Sequence, residues 1–288
     1  MSPSRDSADP NQDGQKDNQG LAEQEGPEVT RAAAIREQLT TLVLAVAIAM
    51  VIRATVIEPF RIPSGSMFPT LLIGDHLFVN KFIYGAKIPF TNYRLPGLRE
   101  PERGDVVVFE VARVADRRGT GGIVPADRRP DAPREDFVKR IVGLPGDRIE
   151  VRNDILYINH KRVDGVALSP GFEDERGEEL DRYRESLGAC LHEVLDAPGK
   201  LGLSRTPLVV EPGRYFMMGD NRDNSNDSRA WGTVRLDEFK GPAFIIYWSW
   251  NSAGNFFHLL NPFNWFSVEK RWGRVFQSIH CDPVEPLP

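Results

Sequence analysis

The sequence predicts a mainly β protein carried behind one apolar helix, and three observations lead there. An apolar run of 19 residues lies near the N-terminus; short segments rich in Val, Ile, Phe and Tyr recur after it between Gly and Pro; and that later stretch shows no sustained helical period.

Residues 1–38 contain eight acids, four bases and almost no large apolar side chain before Ile35. Such a segment buries too little surface to offset the entropy of ordering, so it reads as a disordered acidic tail. Residues 39–57 follow, with 15 of 19 side chains apolar and Arg53 the only charge. As a helix they extend roughly 28 Å, close to the hydrocarbon thickness of a bilayer. A cleaved secretory signal, a buried helix of a soluble domain and a membrane anchor compete for this run. The anchor is favoured: the leader is long and acidic where a secretory signal has a short basic one, and Arg53 sits near the end, where its side chain can snorkel. Arg31 and Arg36 before the run and Arg53 and Arg61 at its other end leave orientation weakly determined by charge.

Beyond the helix, strand-like runs fall at 76–82, 105–111, 137–142, 148–151, 155–158, 215–218 and 243–250, with Pro145-Gly146-Asp147 as a turn between two of them. Residues 112–135, crowded with Arg, Asp, Gly and Pro, read as a mobile loop. Residues 169–207 read as a second excursion. A main domain over 58–152 and 212–288, interrupted by a smaller β-rich domain over 153–211, accounts for this texture.

The 36 Lys and Arg against 41 Asp and Glu give a net charge of −5, which excludes nucleic-acid binding through bulk positive charge. Two cysteines, Cys190 and Cys281, are too few for a structural zinc site. They could form a disulfide in an oxidising compartment.

Three segments carry possible chemistry. In Pro63-Ser64-Gly65-Ser66-Met67-Phe68-Pro69-Thr70-Leu71 two serines flank a glycine and prolines restrict the backbone on both sides, which suits an oriented nucleophile or a plain loop leaving a membrane. A serine nucleophile needs a base. No G-x-S-x-G elbow occurs, His76 is an isolated histidine in a strand-like run, and His192-Glu193 lacks the second histidine of a zinc-protease helix. Lys139 sits inside the apolar run Phe137-Val138-Lys139-Arg140-Ile141-Val142, where burial would lower its pKa toward that of a working base. Equally, it could be solvated on one face of a half-exposed strand. Alternation sends Lys139 and Arg140 to opposite faces, so at most one is expected to share a face with the core. The third segment, 219–229, is eleven small or polar residues; Asp227 and Arg229 could pair there, and Ser225 could hydrogen-bond a neutral lysine.

Together with Gly74-Asp75, Arg103-Gly104-Asp105-Val106-Val107-Val108-Phe109 and Lys139-Arg140-Ile141-Val142-Gly143-Leu144-Pro145-Gly146-Asp147, these segments resemble, in order, the boxes of the bacterial type I signal peptidases. The resemblance implies a signal-peptidase-type β-sheet catalytic domain behind one transmembrane helix. It also implies Ser66 as nucleophile and Lys139 as general base, with the Ser64 hydroxyl and the Ser66 N–H as oxyanion hole. Ser225 would orient Lys139, and Asp227 with Arg229 would brace the site with Asp220 nearby. Phe60, Ile62, Met67, Leu71, Phe137 and Val138 would line shallow pockets that admit small side chains, matching the family's Ala-x-Ala preference. No metal or organic cofactor is expected. Partners would be the signal peptides of secretory preproteins and the lipid bilayer, without nucleic acid, and the chain is expected to be monomeric.

Single-span relatives place the tail in the cytoplasm and the catalytic domain on the periplasmic face of the bacterial cytoplasmic membrane. Trp248, Trp250, Phe256, Phe257, Leu259, Leu260, Phe263, Trp265 and Phe266 would either rest in the membrane interface or fill a second core. The competing reading from another class is a membrane-anchored β adaptor that binds exported peptides without cleaving them, which has no reason to keep Lys139 in an apolar strand with Ser66.

Overall fold

The computed structural model describes residues 27–85, 87, 91, 93–114, 122–200, 202–251 and 269–283. Its first element, α1, spans Pro27–Thr55, so the helix starts well before residue 39 and takes in residues read as disordered tail; residues 1–26 lie outside the described part. Proline suits the first helical position because it gives up no intrahelical N–H. Ala, Arg, Glu and Gln then extend a helix that the apolar run has already nucleated, since propagation costs far less than initiation. Ala33–Arg53 is long and apolar enough to cross a membrane, and Leu42, Val43 and Met50 are each 60 % exposed or more. Arg53 in the last turn complements the helix dipole. The chain leaves the helix at Ile57 because Glu58-Pro59 cannot continue it.

The remainder, counted from Met50, forms one compact unit. Its principal sheet is built from β1 (Ile57–Arg61), β2 (Asp75–Asn80), β3 (Val106–Val114), β4 (Gly122–Pro125) and β5 (Arg134–Gly143). Two further strands, β6 (Arg148–Arg152) and β7 (Ile155–Ile158), begin a smaller sheet, and β8 (Lys161–Arg162) closes its edge. A second small sheet uses β9 (Gly165–Glu173), β10 (Glu179–Leu187) and β11 (Cys190–Asp196). The chain continues through β12 (Arg205–Val209), β13 (Arg214–Met218), the short helix α2 (Ser228–Trp231), β14 (Val234–Arg235), β15 (Phe239–Ser249) and β16 (Asp282–Pro283).

The strand order of the eight-stranded sheet is β1-β2-β15-β3-β5-β13-β14, with β4 added to β3; the four-stranded sheets run β16-β11-β10-β9 and β12-β6-β7-β8. The stretch 112–135, expected to be a mobile loop, is largely ordered: its start extends β3, Val111–Val114 pairs with β4, and its end enters β5, while 115–121 lie outside the described residues. Its Ile123-Val124 pair supplies the strand propensity that the surrounding charge obscured.

The central strand β3 is buried on both faces, which is why it reads as an unbroken apolar run. Val106 and Val108 pack with Ile62, Met67, Leu71, Leu77 and Ile246, while Val107, Phe109 and Val111 pack with Ile141, Met217, Trp231 and Phe239. A third cluster around Leu156, Phe216 and Met218 includes Cys190. Cys190 is disulfide-bonded to Cys281 across 91 positions, with Cα atoms 5.1 Å apart. Gly104 makes room for the bridge: its φ is +97°, and a Cβ there would lie 2.4 Å from the Cys190 sulfur.

Of the aromatic residues expected either in a membrane interface or in a second core, Trp250 belongs to the core. It is 6 % exposed and packs edge-on to His76 with ring centroids 5.0 Å apart, because β15 pairs there with β2, an inner strand. Trp248 is half-buried and meets the exposed Trp272 at 5.4 Å. Phe256, Phe257, Leu259, Leu260, Phe263, Trp265 and Phe266 lie outside the described residues.

Candidate active site

The serine segment follows β1 directly and turns through a single 3₁₀ turn, Gly65–Met67. Gly65 lets this turn close against its own continuation: a Cβ there would lie 2.6 Å from the Phe68 ring. Ser64 stays exposed in extended conformation before the turn, whereas Ser66 is 8 % exposed and Met67 is fully buried. The turn is clamped from the polar segment 219–229, whose Asn221 donates its backbone N–H to the Ser66 carbonyl at 3.2 Å and its side-chain amide to the Gly65 carbonyl at 3.1 Å. Gly219 permits this approach, since a Cβ on it would meet the Ser66 carbonyl oxygen at 2.5 Å and Ser225 Oγ at 2.2 Å.

Lys139 reaches the serine from β5, paired across the sheet with Val107. Its Nζ lies 2.6 Å from Ser66 Oγ and 2.9 Å from the Val138 carbonyl, and the Phe137 ring stands 5.3 Å away. Lys139 is 3 % exposed. Burial, only partly opposed by the more distant Asp227 and Asp220 carboxylates, pushes its pKa down from 10.5 to about 8. An amine of that kind has an appreciable neutral fraction near neutrality, and its lone pair then faces a hydroxyl proton within transfer distance.

Arg140, the next residue, is 2 % exposed, so the expectation that only one of the two shares a face with the core is corrected: β5 lies inside the sheet and both of its faces are covered. Arg140 holds Asp220 through two bonds of 2.8 and 2.7 Å and donates to the Gly104 carbonyl at 2.8 Å. Thr70 donates to the same carboxylate at 2.5 Å. Burial alone would raise the Asp220 carboxyl, but Arg140 holds it below the usual carboxylate range. This tie joins the far end of the serine segment to β5 and to the polar segment.

Asp227 is fully buried and accepts from Arg229 at 2.9 and 2.8 Å, from the Gly219 N–H at 3.0 Å and from the Ser225 hydroxyl at 2.7 Å. Burial again works to raise its carboxyl, and the Arg229 guanidinium with these donors brings it below the ordinary range. Among the described residues, Ser225 gives its hydroxyl to Asp227 and makes no direct hydrogen bond to Lys139, which corrects its assignment as a direct partner of the lysine. The reason is competition: a charged carboxylate is the stronger acceptor.

A groove of about 630 Å³ runs past the serine and the lysine, lined among others by Ser64, Phe137, Val138, Leu203, Asn224 and Ala230. Of the six residues expected to line pockets, Phe137 and Val138 do so. Ile62, Met67 and Leu71 are at most 2 % exposed and sit in the core, and Phe60 packs against that core with Lys240 over its ring. The turn that exposes Ser64 directs its apolar neighbours inward. Leu203 and Ala230 were not foreseen, since a Leu in a loop and an Ala beside a tryptophan carry no signal of their own.

Sequence reasoning also missed what lies behind the serine segment. Asp75, wholly buried, accepts from the Leu72 N–H at 2.8 Å, from the Ser249 hydroxyl at 2.6 Å and from Arg274, whose nearest nitrogen is 2.6 Å away. Arg274 also caps the Thr70 carbonyl at 2.9 Å. Asp75 stood in the Gly74-Asp75 box, but nothing in the sequence paired it with an arginine 199 positions later.

The whole arrangement places a buried amine against a hydroxyl at the wall of an open groove, with the buried Asp220, Asp227 and Asp75 behind it each matched by a guanidinium. A family model described as signal peptidase, peptidase S26, matches residues 35–248. Signal peptidase I of Pseudomonas fluorescens is 38% identical over 215 residues, 70% of this chain and 69% of that protein. The Pseudomonas aeruginosa signal peptidase I is 35% identical over the same length and the same shares. That of Rickettsia typhi is 30% identical over 272 residues, covering 85% of this chain and 94% of the relative. On this breadth of agreement, the chain belongs to the signal peptidase family, peptidase S26.

Proposed function

We propose that the protein is a membrane-anchored serine endopeptidase that removes N-terminal signal peptides at Ala-x-Ala-type sites with Ser66 and Lys139 as its dyad. The observation that carries this reading is the buried Lys139 amine 2.6 Å from Ser66 Oγ. The neutral amine accepts the Ser66 proton as Oγ attacks the scissile carbonyl, forming a tetrahedral oxyanion beside the Ser64 hydroxyl and the Ser66 N–H. The resulting ammonium returns that proton to the leaving amine, giving an acyl-enzyme on Ser66. Lys139 then draws a proton from water as it attacks the ester, and the ammonium gives that proton to Ser66 Oγ as the acyl group leaves. No step calls for a metal.

Asp227, Arg229, Asp220 and Ser225 act by position: they fix the walls around the lysine while keeping carboxylates paired with guanidinium groups. Phe137, Val138, Leu203 and Ala230 give the groove an apolar lining suited to small side chains. The α1 helix anchors the enzyme in the bacterial cytoplasmic membrane as a single span, with the N-terminal tail cytoplasmic and the catalytic unit on the extracytoplasmic side, where signal peptides emerge.

The test is to incubate the full chain in detergent with a precursor carrying an Ala-x-Ala site and to identify the new N-terminus by mass. Cleavage at that site, lost in Ser66→Ala, is the expected result. A precursor bound but left intact by the unaltered chain would instead mark a peptide-binding adaptor.

A further inference from the structure

Three carboxylates from separate parts of the chain meet beside the polar segment. Asp154 lies in the turn between β6 and β7, Asp196 ends β11, and Asp223 lies in the 3₁₀ turn Arg222–Asn224; one oxygen of each falls within 4.8 Å of the others. Two of the nearby guanidinium groups are already engaged, while a third, on the exposed Arg162, stands in the wall of the adjoining cavity. Arg222 holds Glu185, with one bond of 2.8 Å and a second, shorter one. Arg229 holds Asp227 and reaches Asp154 only at Oδ1, at 2.6 Å.

Matching Arg222 and Arg229 to the carboxylates they grip most fully leaves Asp154, Asp196 and Asp223 without a full counter-charge. Elsewhere in the interior of this protein, Asp220 and Asp227 each have an arginine bound through two nitrogens.

Asp154 supplies an independent observation. Its side chain is 3 % exposed. Its Oδ1 takes the Arg229 bond and the Leu203 N–H at 3.0 Å, but its Oδ2 is buried with no hydrogen-bond partner. Gly202 keeps that oxygen clear, because a Cβ there would lie 2.6 Å from Oδ2. A buried carboxylate oxygen left without a donor is costly, and its natural partner is a cation. A cavity of about 230 Å³ lined by Asp154, Asp196 and Glu185, with Arg162 and Arg222 also in its wall, offers an entry path and room for water ligands.

We propose that Asp154, Asp196 and Asp223 form a calcium site. The donors are all oxygen, with no nitrogen or sulfur, which selects a hard cation. Calcium fits better than magnesium because it tolerates irregular geometry and sheds water readily. The ion would tie the β6–β7 turn and the end of β11 to the segment that runs into Ser225 and Asp227. It is a structural site, and one of its ligands, Asp223, also lines the groove that runs past Ser66 and Lys139.

The test uses the full chain in detergent, stripped with EDTA and dialysed, and titrated calorimetrically with CaCl2. Binding with a Kd on the order of 10⁻⁴ to 10⁻³ M is expected, with a Tm that rises as the site fills and a weaker response to MgCl2. Asp196→Asn and Asp223→Asn, each verified as folded by circular dichroism, should bind calcium about tenfold more weakly or not at all, since each loses a charged ligand. Absence of both binding heat and a Tm shift at about ten times that Kd would overturn the proposal. So would both variants binding calcium as the unaltered chain does, which would move the ion elsewhere. A stronger response to magnesium would overturn the choice of ion, and variants more stable than a calcium-blind parent would show that the pair shares a proton instead. None of these readouts depends on peptidase activity.

Discussion

The two faces of β5 bury neighbouring cations in opposite ways. Arg140 meets a carboxylate at 2.7 and 2.8 Å, which balances its charge in the interior. Lys139, one residue earlier, bonds only a hydroxyl and a backbone carbonyl among the described residues, and burial pushes it down to about 8. The difference is what a partner does to a buried base: one strand carries a permanent cation that holds the structure and, back to back with it, an amine free to gain and lose a proton.

That contrast can be broken in several places. The largest effect is expected at the amine. Lys139→Met, like Ser66→Ala, should lower the rate of precursor cleavage by a factor on the order of 10⁴ or more, with the circular dichroism spectrum unchanged; a folded variant that still cleaves would remove the dyad. On the other face the damage should appear in stability. Asp220→Ala strands the Arg140 charge and should cost about 3–5 kcal/mol, read as a lower denaturant midpoint, and a double-mutant cycle with Arg140→Met should recover much of it.

A smaller effect is expected at Ser64. Ser64→Ala should lower kcat by about 10² to 10³ if its hydroxyl holds the oxyanion, with KM little changed; an unaltered kcat would assign that role elsewhere. The mildest test is pH. The neutral amine is the working form, so kcat/KM should climb about tenfold per unit below a pKa of about 8 and level off above it. The sign for stability follows the same shift: a lysine whose folded pKa lies below 10.5 adds stability as pH rises from about 8 toward 10.5. A rate that fell with pH across neutrality would mean that the protonated amine is the active form.

How much of this was legible depended on the kind of residue. Lys139 was visible because a lysine in an apolar strand is costly, and cost leaves a mark in sequence. Mainly β architecture was visible for a similar reason, in the spacing of Val, Ile and Phe. Arg140 was misjudged because alternation says which residues face apart but not whether both faces are covered. The apolar residues of the serine segment were taken for groove walls because composition alone does not distinguish Met67, which the Gly65 turn directs inward, from Val138, which faces the groove. Helix α1 was read too short because lack of apolar side chains argues against a buried helix, not against an exposed one. Long-range ties such as Asp75 to Arg274 leave no local trace at all.

Arg274 has a practical consequence for anyone trimming the protein. The family match ends at residue 248, yet Arg274 and Cys281 lie past it, one gripping the buried Asp75 behind the serine segment and the other tied to β11. A chain shortened to residue 248 would keep both residues of the reactive pair and lose the buttress beneath one of them. The end of the family match and the end of what holds the site together are different places.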